Sequence, residues 1–401
     1  MPGIHKRDDI GKGPPAFLGY GFRPFFFLAG FAGIFGVVLW LASISGAITL
    51  PSAFAPSLWH AHEMLFGFVT AAIAGFLLTA IPSWTGRPPV RGAMLGGLVL
   101  LWIAGRLAVA TSAIIGTGTA AVIDLAFLAA LLLVVVRELV AAKNRRNLPM
   151  AAALFVLLIA NGLMHADVLS LDVVTGSGWR LGFIVATLLV VLIGGRIIPN
   201  FTANWLTRQG GSGSAPAPFG WIDKATLVAT ALALTAWITI PGTIAAVLLG
   251  AIAAFANAIR LTRWCGWRTR RDPLLFVLHV GYAWVPVALV LLALSQANDL
   301  VPESAAVHAL GAGVFGTMIA AVMTRATLGH TGRPLRAGSS TVALYVLITI
   351  AAVARVGATL WLNAADGLLD VSGAAWTGAF VLFIGVYGSA LLRPRSDGKP
   401  G

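Results

Sequence analysis

The sequence predicts an all-α polytopic membrane protein of about twelve transmembrane helices, and three observations predict it. Hydrophobic residues make up 58% of the 401 residues and charged ones only 10%, where a soluble chain carries about 25% charged residues. The apolar residues gather into runs of about 20, the length that crosses a bilayer. When the runs alternate in direction, every Lys and Arg except Arg106, Arg180 and Arg355 falls toward one side. The positive-inside rule makes that side cytoplasmic.

The runs lie at roughly 24–47, 60–82, 93–112, 119–137, 149–168, 179–200, 222–240, 242–260, 273–295, 304–325, 339–361 and 370–391. The first follows Arg23-Pro24, and the second opens on Trp59-His60-Ala61-His62-Glu63 and reaches Pro82. The fifth and ninth begin after the basic segments Arg145-Arg146 and Arg270-Arg271. Pro241-Gly242 alone separates the seventh from the eighth, which reads as a tight hairpin. The one linker-like segment is 210–218, between the sixth and seventh. Residues 24–393 therefore form a single transmembrane domain, with cytoplasmic tails at 1–23 and 394–401. Met1 to Gly19 is polar, without the short apolar core of a cleavable signal peptide.

Composition excludes other classes. The net charge of +13 would suit nucleic acid, but the basic residues sit between apolar runs, so the partner expected is the lipid bilayer and no nucleic acid. The single cysteine, Cys265, rules out an intrachain disulfide and a Cys-based metal site.

The chain also repeats itself. His62, followed by Thr85-Gly86-Arg87-Pro88, is matched 246 residues later by His308, followed by Thr331-Gly332-Arg333-Pro334. A weaker copy lies 117 residues after the first, where Ile198-Pro199-Asn200-Phe201-Thr202 matches Ile81-Pro82-Ser83-Trp84-Thr85 and Trp179 stands for the histidine. The chain therefore reads as three four-helix repeats, approximately 24–140, 149–260 and 273–393. In the outer repeats Arg106 with Asp124, and Arg355 with Asp370, sit at matching depths. Unpaired charges there are unfavourable, so an Arg–Asp pair is expected in each. Alternatively, Arg106 or Arg355 neutralises the carboxylates of a bound cofactor.

Ionisable groups at a membrane boundary tend to be functional, and imidazole is a common ligand for iron, copper and zinc. His60, His62, His165 and His308 are expected near the periplasmic side, as one candidate metal or haem cluster. The bland reading is interfacial histidines bonded to backbone or lipid headgroups. His60 and His62, two residues apart, project about 200° apart around a helix. His279 lies near the cytoplasmic start of the ninth run and is a further candidate ligand. His330 stands in place of Trp84 in the repeat, which favours a structural role, and His5 lies in a solvated tail. Glu63 could carry protons, anchor a ligand from behind, or cap the first helical turn.

The segments WHAHEMLFGF (59–68), GFLLTAIPSWTGRPPVRG (75–92), GGRIIPNFTANWL (194–206), LHVGYAW (278–284) and HALGAGVFGTMIAAVMTRATLGHTGRP (308–334) resemble the NnrS family across nearly the whole chain. That resemblance implies a bacterial inner-membrane protein of about twelve helices, with both termini cytoplasmic as the charge pattern expects. It implies haem b and copper as cofactors, and a part in the response to nitric oxide and nitrosative stress. A looser resemblance is to the twelve-helix large subunit of haem–copper oxidases, where histidines on the second and tenth helices clamp a haem. By that plan His62 (or His60) and His308 would ligate haem b, and His60, His165 or His279 would serve a second metal. The chain departs from the plan because its sixth run has no histidine and the region of the seventh and eighth runs has no His-His pair. The expected function is therefore nitric oxide binding, sensing or reduction, with the redox partner open. The competing expectations are a secondary transporter and a non-catalytic membrane partner in the maturation of a respiratory enzyme.

Overall fold

A computed structural model describes residues 14–210 and 215–398. The N-terminal tail up to Gly13, including His5, and part of the 210–218 linker lie outside the described residues. Among the described residues, twelve helices are long and apolar enough to cross a membrane. They are α1 (Phe22–Ile44), α2 (Pro56–Thr85), α3 (Ala93–Ala110), α4 (Thr117–Ala141), α5 (Arg145–Val168) and α6 (Ser177–Arg208). The second half comprises α7 (Trp221–Thr239), α8 (Ile244–Thr262), α9 (Pro273–Ala297), α10 (Glu303–His330), α11 (Ser339–Leu360) and α12 (Leu362–Leu392).

All twelve expected spans are present, and several are longer than expected. Pro82 does not end α2, nor Pro199 α6, because neighbouring groups can satisfy the carbonyls that a proline leaves free inside a membrane helix. Gly86, in the left-handed conformation, ends α2 by donating its N–H to the Pro82 carbonyl. The α7–α8 connection is the expected tight turn, with Gly242 at φ +71°. Consecutive helices pack as neighbours, and α12 returns to pack on α1. The outward face is apolar, with Leu100, Val122, Leu133 and Phe255 among its exposed side chains, as a lipid-facing surface requires.

Spans α2 and α10 depart from regular α-helix at matching places. Glu63–Val69, directly after His62, and Ala309–Gly316, directly after His308, are wide π turns. Such turns insert a residue into the helical ladder and are common at functional sites.

Two arginines on the basic side of the bundle are buried. Arg23 donates to the carbonyls of Ala390, Leu391 and Arg393, capping the end of α12 with a cation. Arg260, fully buried, donates to Asp223 Oδ1 at 2.7 Å, to the Val191 carbonyl and to Tyr282 Oη. A buried charge is tolerated only when paired, and Asp223 supplies the pairing. Replacing Asp223 with Ala strands that guanidinium and is expected to destabilise the protein by about 3–5 kcal/mol. Thermal unfolding in detergent measures this, and an unchanged midpoint would show that the pair is dispensable.

Candidate functional site

The histidine-bearing end of the bundle holds two sites. The first is a closed polar cluster between α2, α3, α4 and α5. His62 Nε2 lies 2.9 Å from Asn161 Oδ1 and 3.2 Å from Asp124 Oδ2. His165 Nε2 lies 3.0 Å from the same Asp124 oxygen. Asn161 precedes His165 by one helical turn, so both face α4, and Asn161 Nδ2 also donates to Asp124 at 2.8 Å. Arg106 joins from α3, bonded to Asp124 and, at 2.7 Å, to Glu63 Oε1. Phe54, from the α1–α2 loop, closes the cluster with its ring edge-on to both imidazoles, at 5.1 and 5.4 Å.

Glycines permit this convergence. A Cβ on Gly105 would lie 2.7 Å from Asp124 Oδ1, and one on Gly67 would lie 3.2 Å from Glu63 Oε2 and 3.4 Å from Arg106. The backbones approach there because no side chain intervenes.

His62, Asp124 and His165 each offer one ligand atom, and these atoms lie within 4.8 Å of one another, all buried. The set can hold a metal ion. Charge balance agrees with such a role. Both ring nitrogens of His62 face acceptor oxygens, Glu63 on one side and Asn161 and Asp124 on the other. Two carboxylates and one guanidinium leave one negative charge over, which is unfavourable in a buried site. Either a proton on His62 or a cation among the three ligands closes the balance.

The second site is a cavity of about 590 Å³ between α1, α2, α6, α10, α11 and α12. His60 and His308 both line it, as do Arg355, Phe68, Phe183 and Trp376. His60 stacks on Trp40, with ring centroids 4.3 Å apart, and its Nδ1 lies 3.1 Å from the Gly36 carbonyl. His308 Nδ1 lies 2.7 Å from the Ser304 carbonyl. A carbonyl only accepts, so in both rings Nδ1 carries the hydrogen and Nε2 keeps its lone pair. That tautomer is the one a metal ligand needs, and its anchored N–H is the usual support for one. Arg355 lies over the Trp40 ring at 5.7 Å and forms no ion pair among the described residues. At the rim, Arg180 bonds Glu303 through both Nε and Nη2 at 2.9 Å, and Trp237 Nε1 donates to the same carboxylate.

The structure thus divides the expected four-histidine cluster. His62 pairs with His165, whereas His60 pairs with His308. Two positions at 200° on one helix cannot face the same space, so His62 and His308 do not converge on one ligand. Arg106 is engaged by Glu63 and Asp124 and is not free for a cofactor's carboxylates. The second expected ion pair is absent, because Asp370 is exposed on the outer surface while Arg355 faces the cavity. Glu63 lies inside the buried cluster, about two turns beyond the start of α2 at Pro56, and caps nothing. His279 stands apart at the other end of the bundle, with Nε2 3.0 Å from Thr202 Oγ1. His330 packs its ring 5.4 Å from Phe22.

Sequence reasoning missed Asn161 and Trp40. Asn161 carried a readable signal, being one turn before His165 on the same face. Trp40 carried none, since an aromatic residue in an apolar run has no periodic mark.

A model of the family described as NnrS protein matches residues 16–395. A comparison with curated proteins finds no match.

Proposed function

The chain belongs to the NnrS family, and on that premise we propose that it is a bacterial inner-membrane protein that binds nitric oxide at a haem b held by His60 and His308, with copper at His62, Asp124 and His165. The observation that carries this reading is the pair of imidazoles facing one cavity, each with Nδ1 anchored on a backbone carbonyl. The volume of about 590 Å³ lies within the ~300–1,000 Å³ usual for small-molecule and cofactor sites. Its apolar and aromatic walls suit a flat macrocycle, and Arg355 supplies the positive charge that a cofactor's carboxylates need.

A haem bound here would be held by His60 and His308 and would supply the iron for nitric oxide, which would have to take the place of one of the two imidazoles. The protein's part is to orient the two imidazoles, exclude water with Phe68, Phe183 and Trp376, and neutralise negative charge with Arg355. In the adjacent cluster, Arg106 and Asn161 fix Asp124, and Glu63 fixes His62. Glu63 borders both the cluster and the start of the π turn, and it is the group we assign to accept or deliver a proton there. The charge asymmetry of the spans supports both termini lying in the cytoplasm and both sites lying toward the periplasm.

The test is an optical spectrum of the detergent-purified, haem-supplemented protein, oxidised, reduced and reduced with nitric oxide, with metal analysis of the same sample. A Soret band that moves on adding nitric oxide is expected. A colourless preparation would overturn the haem reading and favour the transporter. His165→Ala is expected to lower bound copper at least tenfold, in line with the loss of one ligand from a three-ligand set, and to leave the Soret band in place. Copper content equal to wild type would remove the metal from this cluster.

A further inference from the structure

Below the histidine cavity lies a second, smaller cavity of about 100 Å³, lined by α2, α6 and α10 and by Phe26 of α1. Its lining follows the internal repeat. Val69, Ala186 and Phe315 are separated by the same 117- and 246-residue offsets as the sequence repeat, and so are Phe76, Ile193 and Val322. Three further levels obey the same offsets. The cavity therefore sits on the axis that relates the three repeats, where each contributes equivalent positions. Every lining residue is apolar or glycine.

Such a space has no polar group to hold water, which needs two to four partners. Apolar cavities of comparable size, on the order of 150 Å³, stay dry and take up xenon or benzene. The axial cavity also touches the histidine cavity, because Val69 and Phe315 line both. These two residues are repeat equivalents, and each stands on a π turn. The third equivalent is Ala186, the smallest side chain of the three.

We propose that the axial cavity is a binding and transit site for a small uncharged apolar molecule of gas size, delivered through the Val69–Ala186–Phe315 collar to the histidine cavity. An ion or a hydrated solute would lose its water there without replacement, so the site selects against both. Its use by nitric oxide rests on the function proposed above, but occupancy by an inert gas does not.

The experiment is crystallography of the full chain under xenon pressure, for wild type and for Ala186→Leu and Ala72→Leu, each of which fills the cavity with a side chain. Size-exclusion chromatography confirms which variants are folded. Wild type is expected to show xenon on the axis between α2, α6 and α10, and a folded filled variant is expected to lose at least tenfold of that occupancy. Xenon confined to the histidine cavity, or axial occupancy unchanged in a folded variant, would overturn the proposal. Because xenon needs no haem, a colourless protein with axial xenon would refute the haem reading and leave this one standing.

Discussion

His308→Ala is expected to abolish the Soret band of haem-supplemented protein, and His62→Ala is expected to retain it. The two residues hold matching places in the repeat, so sequence alone treats them alike. The structure separates them. His308 presents Nε2 to the cavity, with Nδ1 anchored on Ser304. Both ring nitrogens of His62 are already engaged by Glu63, Asn161 and Asp124. Removing His308 takes away a proposed iron ligand and opens space in the cavity wall, whereas removing His62 breaks a polar cluster behind it. His60→Ala is expected to follow His308→Ala, because its ring faces the same space from Trp40. Absorbance at the Soret maximum, normalised to protein, reads all three. Loss of the band in His62→Ala with full retention in His308→Ala would transfer the haem to the other site.

Asp124→Ala is expected to cost about 3–5 kcal/mol of stability, the penalty for leaving buried charge without its partner. Asp124 is 1% exposed and meets four side chains from three helices, namely Arg106, His62, Asn161 and His165. Without it, Arg106 keeps only Glu63, and neither imidazole Nε2 keeps the carboxylate. Asp124→Asn retains the shape and one acceptor oxygen but loses the charge, so a smaller loss is expected. The ordering wild type, Asn, Ala in the thermal unfolding midpoint is the measurement. Equal midpoints for Ala and wild type would show that the cluster is not held by this carboxylate. Copper content falling in Asp124→Asn, at near-native stability, would separate a ligand role from a structural one.

The spans were legible because crossing a bilayer is a one-dimensional demand. About 20 apolar residues must occur in succession, and backbone hydrogen bonding then leaves only helix for them. Departures came where a local signal was overruled by neighbours. Pro82 read as the end of its run but sits inside a helix that surrounding spans support. Arg23 and Arg260 stood out only as members of the basic side, but acceptors from distant segments hold them inside.

The candidate site was legible as a set of residues and not as an arrangement. The residues His60, His62, His165, His308, Arg106 and Asp124 all stood out by type and depth. The 200° separation of His60 and His62 required that they face different spaces, without saying which space either shares with His308. Arg355 and Asp370 sat at matching depth, which depth alone could not convert into contact, because Asp370 is turned outward.

The sequence by itself determined the twelve helices, their basic side and the internal repeat, since each is written in spacing and composition along one chain. Only the tertiary structure decided that His62 joins His165 and Asp124 while His60 joins His308, and that the repeat encloses an apolar cavity. Those outcomes depend on the rotation of each helix about its axis, which is set by its packing against helices remote in sequence.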